Sequence, residues 1–104
     1  MNWDVKLLKT PEQHAAGVLA FPSPLPLNML LLFCQIAPGS VIHTRGVQEP
    51  LNIFVLNASF REIFMTTLNP DQVLTLPEGA AHVVEMSVRA APPPNFKMLL
   101  WYTW

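Results

Sequence analysis

Short runs of apolar residues alternate with turn-forming residues along the whole chain. Eleven prolines and four glycines separate these runs, which is typical of many short strands and not of a helical bundle. The segment Pro11–Ala16 can form one helical turn at most. We predict strands at Val5–Leu8, Val18–Ala20, Met29–Ile36, Val41–His43, Asn52–Leu56, Phe60–Thr66, Gln72–Leu76, His82–Arg89 and Lys97–Trp104. The pattern predicts an all-β domain, a sandwich or a barrel, over residues 1–104.

The low content of charged residues predicts an oligomer. Hydrophobic residues make up 51% of the chain and charged residues 12%, whereas roughly 25% charged residues is usual. A monomer of this composition exposes apolar patches, and such patches normally mark an interaction surface. We therefore expect a homodimer, with Trp101, Tyr102 and Trp104 as contact residues. The alternative is that these aromatic residues pack over the chain's own barrel.

Charge, cysteine content and proline positions argue against a nucleic-acid partner, an internal disulfide and a membrane segment. The net charge is −1 and the six basic residues are scattered, which argues against a nucleic-acid partner. The single cysteine, Cys34, cannot form an internal disulfide, so a cytoplasmic location is expected. Residues Ala15–Gly39 carry no charge, but Pro22, Pro24 and Pro26 interrupt them. Because proline breaks a spanning helix, we predict no membrane segment.

Two motifs carry the candidate chemistry. The first is the polar cluster His43-Thr-Arg45-Gly-Val-Gln-Glu49, which precedes the apolar strand Asn52–Leu56. The second is Asp71-Gln-Val-Leu-Thr-Leu-Pro77-Glu-Gly79-Ala-Ala-His82, in which a strand and a tight Pro-x-Gly turn lead to a histidine. Since side chains alternate along a strand, His43 and Arg45 share one face, and His82 shares a face with Val84 and Met86.

Over about residues 36–88 this arrangement resembles the two motifs of the cupin superfamily. The resemblance implies a single cupin-like β-barrel, of the jelly-roll or double-stranded β-helix type, with a pocket in its mouth. His43, Glu49 and His82 could meet in that pocket. Two imidazoles and one carboxylate suit a divalent Fe, Mn, Ni or Zn ion with open positions.

The first motif fits the family's pattern in two registers. In one register, His43 and Glu49 keep the ligand spacing and Arg45 replaces a histidine; an arginine cannot bind a metal. In the other, counted from Gly39, the ligand positions fall on Arg45, Val47 and Leu51, so only His82 is retained. A shift of two residues keeps the same face, so alternation alone leaves both registers open.

Three functions therefore remain open. The first is a small-molecule-binding module lined by His43, Arg45, Glu49 and His82, in which Arg45 binds a carboxylate or phosphate of an anionic ligand without a metal. The second is a metal-dependent enzyme of the dioxygenase, isomerase or lyase type that uses His43, Glu49 and His82. The third is a structural dimer without a ligand. We expect His14 to be solvated, and we expect surface positions for the scattered acidic residues Asp4, Glu12, Glu62, Glu78 and Glu85.

Overall fold

Seven strands and three short helical segments make up the described part of the fold. The computed structural model of the chain describes residues 2–37 and 39–101, with only the backbone of Met98 and Trp101 described. The strands are β1 (Asp4–Leu8), β2 (Met29–Phe33), β3 (Val41–His43), β4 (Leu51–Leu56), β5 (Glu62–Leu68), β6 (Val73–Thr75) and β7 (His82–Ser87). The helical segments are α1 (Pro11–Ala16), a 3-10 helix (Gly17–Ala20) and α2 (Phe96–Trp101). Over the described residues, no helix has the length and apolar character needed to cross a membrane.

The strands form two sheets. The larger sheet has the order β1-β2-β7-β4-β5, and the smaller sheet pairs β3 with β6. The β1–β2 pair is parallel, and the other pairs are antiparallel. The predicted β-rich fold is therefore confirmed. Within the described part of the chain, however, strand pairing leaves two separate sheets and does not close them into a barrel.

The central strands of the larger sheet are buried on both faces. On one face, Leu31, Ile53 and Val83 belong to a core that also contains Val47 and Leu76. On the other face a second core contains residues from the same three strands together with two from α2: Leu32, Phe54, Val84, Phe96 and Leu100. Because both faces are covered, β2 and β4 are almost uninterrupted apolar runs. β7 is buried along its whole length as well, although it contains the polar residues His82, Glu85 and Ser87.

Two predicted strands are wrong. Val18–Ala20 lies in the 3-10 helix, which continues directly from α1. The start of α1 carries a capping box, in which the Thr10 hydroxyl accepts a hydrogen bond from the Gln13 N–H and the Gln13 side chain accepts one from the Thr10 N–H. This sequence signal, with Pro11 in the first turn, fixes the start of α1, and α1 ends just before Gly17, whose φ is 50°.

The predicted C-terminal strand is the second error. Of the range 97–104, the residues up to Trp101 belong to α2, whose Phe96 and Leu100 pack into the second core. Tyr102 and Trp104 lie outside the described residues. Contact of the C-terminal aromatic residues with a partner therefore stays a prediction.

The Pro-x-Gly turn before β7 forms as expected. Gly79 has a φ of 85°, a left-handed conformation that glycine adopts without a steric penalty, and the Ala80 N–H donates to the Pro77 carbonyl at 3.3 Å. The turn delivers the chain into β7 at His82 and so fixes which face of the sheet each residue of β7 occupies.

Candidate functional site

A cleft of about 270 Å³ lies between the helical segment 14–19 and the strand β3. Val18, Phe33, Ile42 and Val47 provide apolar lining. The polar groups that reach this cleft are His14, Ser40, His43, Arg45 and Glu85. The combination of apolar walls and a few polar groups is typical of a site for a small molecule.

The innermost polar group is the carboxyl of Glu85, on the central strand β7. Its cross-strand neighbours are Leu31 on β2 and Ile53 on β4, and only 5% of the residue is exposed. Within residues 2–37 and 39–101, no hydrogen bond or ion pair to this carboxyl is found, and no side-chain oxygen or nitrogen is both sealed off and without a partner. The carboxyl therefore opens onto the cleft that it lines.

Burial changes the protonation of Glu85. Removing a carboxylate from water disfavours its charged form, and burial raises the pKa of Glu85 to about 8. At neutral pH most molecules therefore hold Glu85 as a neutral acid that can donate a hydrogen bond. The prediction that Glu85 lies on the surface is wrong. A single charged residue inside the apolar run Val83-Val84-Glu85-Met86 was the sequence signal for its burial.

His43 and Arg45 lie at the exposed rim of the same cleft. The Arg45 N–H donates to His43 Nδ1 at 3.2 Å, so in the neutral ring Nε2 carries the proton. The described residues offer no hydrogen bond or ion pair to the Arg45 guanidinium. Two of the four predicted ligand-binding residues thus meet in one cleft, and one of them presents an unpaired cation.

His14 is a third basic group at the cleft, and sequence reasoning missed it. The expectation that it is solvated is wrong, since the residue is half-buried. Its Nε2–H donates to the Leu8 carbonyl at 2.6 Å, and its ring centroid lies 5.8 Å from that of Phe33. These contacts fix the orientation of the ring.

Glu49 lies away from this cleft and has a structural role. Its carboxylate accepts a hydrogen bond from the Leu25 N–H at 2.8 Å and lies 3.5 Å from Arg89 Nε. Arg89 in turn donates through Nη2 to the Leu25 carbonyl at 2.8 Å. These contacts tie the proline-rich segment around Leu25 to the end of β7.

His82 lies on the opposite face of the larger sheet. Its ring stacks on Phe60 with centroids 4.5 Å apart, and its Nδ1 accepts a hydrogen bond from the Gln35 N–H at 3.2 Å. Only 7% of the residue is exposed, and burial lowers the pKa of the imidazole. The prediction that His82 points into the pocket with His43 is wrong, because residues of the other parity, Glu85 among them, face the smaller sheet.

The structure therefore does not bring together the three predicted metal ligands. His43 lines the cleft, Glu49 pairs with Arg89, and His82 stacks on Phe60. Among the residues that the structure describes, no group of three His, Cys, Asp or Glu side chains could hold a metal ion. The positive charge of Arg45 also repels a metal ion from the rim of the cleft.

Comparisons with known proteins support the fold and leave the function open. No family model and no curated protein matches the chain. Among solved structures, it is similar to the crystal structure of a protein of unknown function from Novosphingobium aromaticivorans DSM 12444, with a TM-score of 0.69 and 19% sequence identity over 82% of this chain. The chain covers 63% of the length of that protein. At this level of identity the likeness shows a shared fold alone.

Proposed function

We propose that the chain is a cupin-like binding module whose cleft takes a small anionic molecule. The observation that carries the proposal is the guanidinium of Arg45, which pairs with no described residue and lies at the rim of an apolar-walled cleft. Arginine presents a planar set of donors that matches a carboxylate or a phosphate. His43 adds a donor on the same cleft, because its Nδ1 accepts from the Arg45 N–H and its Nε2 carries the proton.

The size of the cleft limits the ligand. Sites for drug-sized molecules have volumes of roughly 300–1,000 Å³, and this cleft of about 270 Å³ lies just below that range. The apolar side chains of Val18, Phe33 and Ile42 favour a ligand with a short aliphatic or aromatic body. A small organic anion meets both requirements.

A cupin-like arrangement of the two sheets is part of the proposal. The core that faces the cleft joins Leu31, Ile53 and Val83 of the larger sheet with Leu76, which directly follows β6. Packing of the two sheets over a shared core supports a barrel-like arrangement, in which the cleft opens at one end.

A thermal-shift experiment tests the proposed function. Pentanoate, benzoate and phosphate are added to the wild type, to Arg45→Ala and to the control Arg61→Ala, which removes an exposed arginine outside this cleft. A ligand at about 100 times its Kd stabilises the native state by about 2.7 kcal/mol, which is roughly ten degrees or more in Tm for a domain of this size.

The three proteins distinguish the outcomes. We expect at least one anion to raise the Tm of the wild type and of Arg61→Ala but not that of Arg45→Ala. Equal shifts in all three proteins would indicate nonspecific anion effects and contradict the proposal. No shift in any of them would leave the structural dimer as the better hypothesis.

The homodimer stays a prediction, and strand β5 supports it. β5 is an edge of the larger sheet, and its consecutive residues Ile63, Phe64 and Met65 are each more than 40% exposed. An apolar edge strand tends to pair with another chain. Sedimentation equilibrium at micromolar concentration should give twice the chain mass of 11.7 kDa, and a single species of the chain mass would contradict the dimer.

A further inference from the structure

The buried carboxyl of Glu85 needs a partner that residues 2–37 and 39–101 do not supply. A polar group removed from water without a hydrogen bond destabilises the protein by about 1–3 kcal/mol. Native proteins rarely retain such a group unless a ligand, an ion or water satisfies it. Glu85 is buried, unpartnered within the described residues and directed into the cleft. These three observations point to a ligand atom as its partner.

The surroundings of Glu85 decide the chemistry of that atom. On either side of it in the sheet lie Leu31 and Ile53, which are apolar. Over the described residues, the titratable or charged groups that line the cleft with it are His14 from α1, His43 from β3 and Arg45 from the segment that follows β3. All three are basic, so the cleft repels a cationic ligand group, and none of these three residues forms an ion pair with the Glu85 carboxyl.

A neutral carboxyl needs an acceptor. Because burial raises the pKa of Glu85 to about 8, its hydroxyl is a donor at neutral pH. An uncharged carbonyl oxygen accepts such a hydrogen bond and carries no proton that would itself need an acceptor. A second carboxylate in this position would have to be desolvated as a charge, which is far less favourable than burying a ketone.

We infer that the ligand is a small oxo-carboxylate, whose carboxylate binds Arg45 at the rim and whose ketone oxygen accepts a hydrogen bond from Glu85 inside the cleft. The inference rests on the proposed function and adds the chemical class of the ligand. The apolar side chains of Val18, Phe33 and Ile42 enclose the carbon chain between these two ends.

Matched ligands test the inference. Binding of 4-oxopentanoate, 2-oxopentanoate and pentanoate is measured by calorimetry at pH 6.5; these three acids share a chain length and a carboxylate and differ in the ketone. We expect at least one oxo acid to bind about tenfold or more tightly than pentanoate, since a buried donor left unpaired loses roughly this much affinity.

Two substitutions at Glu85 isolate its donor. Glu85→Gln keeps a donor of the same shape that does not ionise, and Glu85→Leu removes the donor. We expect Glu85→Gln to retain the preference for the oxo acid and Glu85→Leu to lose it while still binding pentanoate through Arg45. Far-UV circular dichroism and a melting curve check the fold of each variant. Should Glu85→Leu not fold, the pH profiles of the wild type and Glu85→Gln still decide the question.

The pH profile provides that independent readout. In the wild type the preference for the oxo acid should disappear as the pH rises through about 8, because an ionised Glu85 repels the ketone oxygen. In Glu85→Gln the preference should not change with pH. The profiles of His14→Gln and His43→Gln separate any contribution of the two histidines, and both should keep the transition near pH 8.

The possible outcomes separate the two proposals. If pentanoate and both oxo acids bind equally well and Arg45→Ala abolishes binding of all three, the oxo-carboxylate inference is wrong and the binding module stands. If none of the three acids binds while another anion from the thermal-shift screen does, the inference is again wrong on its own. If Glu85→Gln loses its preference for the oxo acid at the same pH as the wild type, Glu85 is not the donor. If no anion of any kind binds, both proposals fail together.

Discussion

Strand β7 carries two buried titratable residues, three positions apart, on opposite faces of the larger sheet. His82 is 7% exposed and has both a ring partner, Phe60, and a hydrogen-bond donor, the Gln35 N–H. Glu85 is 5% exposed and has neither kind of contact within the described residues. Burial alone does not distinguish them. The presence or absence of a partner does, and it indicates a structural role for His82 and a ligand-binding role for Glu85.

The two faces differ because different elements of the fold cover them. Helix α2 packs against the face of His82, where Phe96 and Leu100 join a continuous core. The small sheet β3–β6 and the helical segment 14–19 cover the face of Glu85, and between them they leave the cleft. On the first face the Gln35 N–H and the Phe60 ring lie close enough to contact His82, whereas on the second the carboxyl of Glu85 is directed at the cleft.

The largest expected effect is on the pH dependence of stability through Glu85. Because the folded pKa of about 8 lies above the ordinary value of 4.5, the native state binds more protons than the unfolded state between these two values. The free energy of unfolding should therefore fall as the pH rises from about 4.5 to about 8, by on the order of a few kcal/mol, and level off above that.

Urea denaturation of the wild type and of Glu85→Gln between pH 4.5 and 9 measures this effect. The variant cannot ionise at this position, so the difference between the two curves isolates Glu85. We expect the variant to gain stability relative to the wild type as the pH rises. If the free energies of unfolding of the two proteins change with pH in parallel, Glu85 titrates as an exposed carboxyl. The contrast drawn between His82 and Glu85 would then be wrong.

The second largest effect is also on the pH dependence of stability, through His82, but here stability falls as the pH is lowered. Burial lowers the folded pKa of this imidazole below its ordinary value of 6.5, so the unfolded state binds a proton first as the pH falls. Protonation would also turn Nδ1 into a donor that faces the Gln35 N–H donor. Acidification below about pH 6.5 should therefore destabilise the protein, by about 1–3 kcal/mol for the lost hydrogen bond.

Melting temperatures of the wild type and of His82→Gln at pH 5 and pH 7.5 check this prediction. The variant should lose less stability than the wild type on acidification, because its side chain has no proton to gain. An identical loss in both proteins would contradict the structural role assigned to His82. Oxo-acid binding at pH 7.5 should be the same in both proteins, since His82 lies on the other face.

A smaller effect is expected from Glu49. Glu49→Gln weakens the charge-assisted hydrogen bond to the Leu25 N–H and removes the ion pair with Arg89, so the free energy of unfolding should fall by about 1 kcal/mol. The exposed Glu78→Gln is the matched control and should change it by less. Anion binding in the cleft should be unaffected by Glu49→Gln. A loss of binding would mean that Glu49 contributes to the binding site after all.

The smallest effect on stability is expected from Arg45. Its guanidinium is exposed and makes no hydrogen bond or ion pair within the part of the chain that the structure describes. Arg45→Ala should therefore change the free energy of unfolding by no more than about 0.5 kcal/mol, although it should remove anion binding. Urea denaturation checks this. A destabilisation of several kcal/mol would mean that Arg45 supports the fold and not a ligand.

Much of the strand framework could be predicted from the sequence because turn residues mark it directly. β3 lies at Val41–His43 as predicted, and the Pro77-Glu78-Gly79 turn leads into β7 at His82. These features depend on local conformation, which proline and glycine restrict strongly. The helical path of residues 17–20 was missed, because its short apolar sequence suits a strand equally well.

The orientation of β7 could not be predicted in the same way. Alternation assigns residues to two faces but does not identify which face meets the smaller sheet. In a half-buried strand the polar residues would identify the outer face, but β7 is buried on both faces and its polar residues fall on both. The positions of His43 and Arg45 in a cleft were predicted, whereas the contributions of His14 and Glu85 depend on how α1 and the sheets pack.

The most direct test of the account is the carboxyl 13C NMR titration of Glu85, without and with 4-oxopentanoate, with the signal assigned by its loss in Glu85→Gln. We expect a pKa of about 8 in the free protein and a higher pKa with the oxo acid bound, because the ligand prefers the protonated carboxyl. A pKa near the ordinary value of a glutamic acid, unchanged by the ligand, would contradict the claim that Glu85 is the buried hydrogen-bond donor of a binding site.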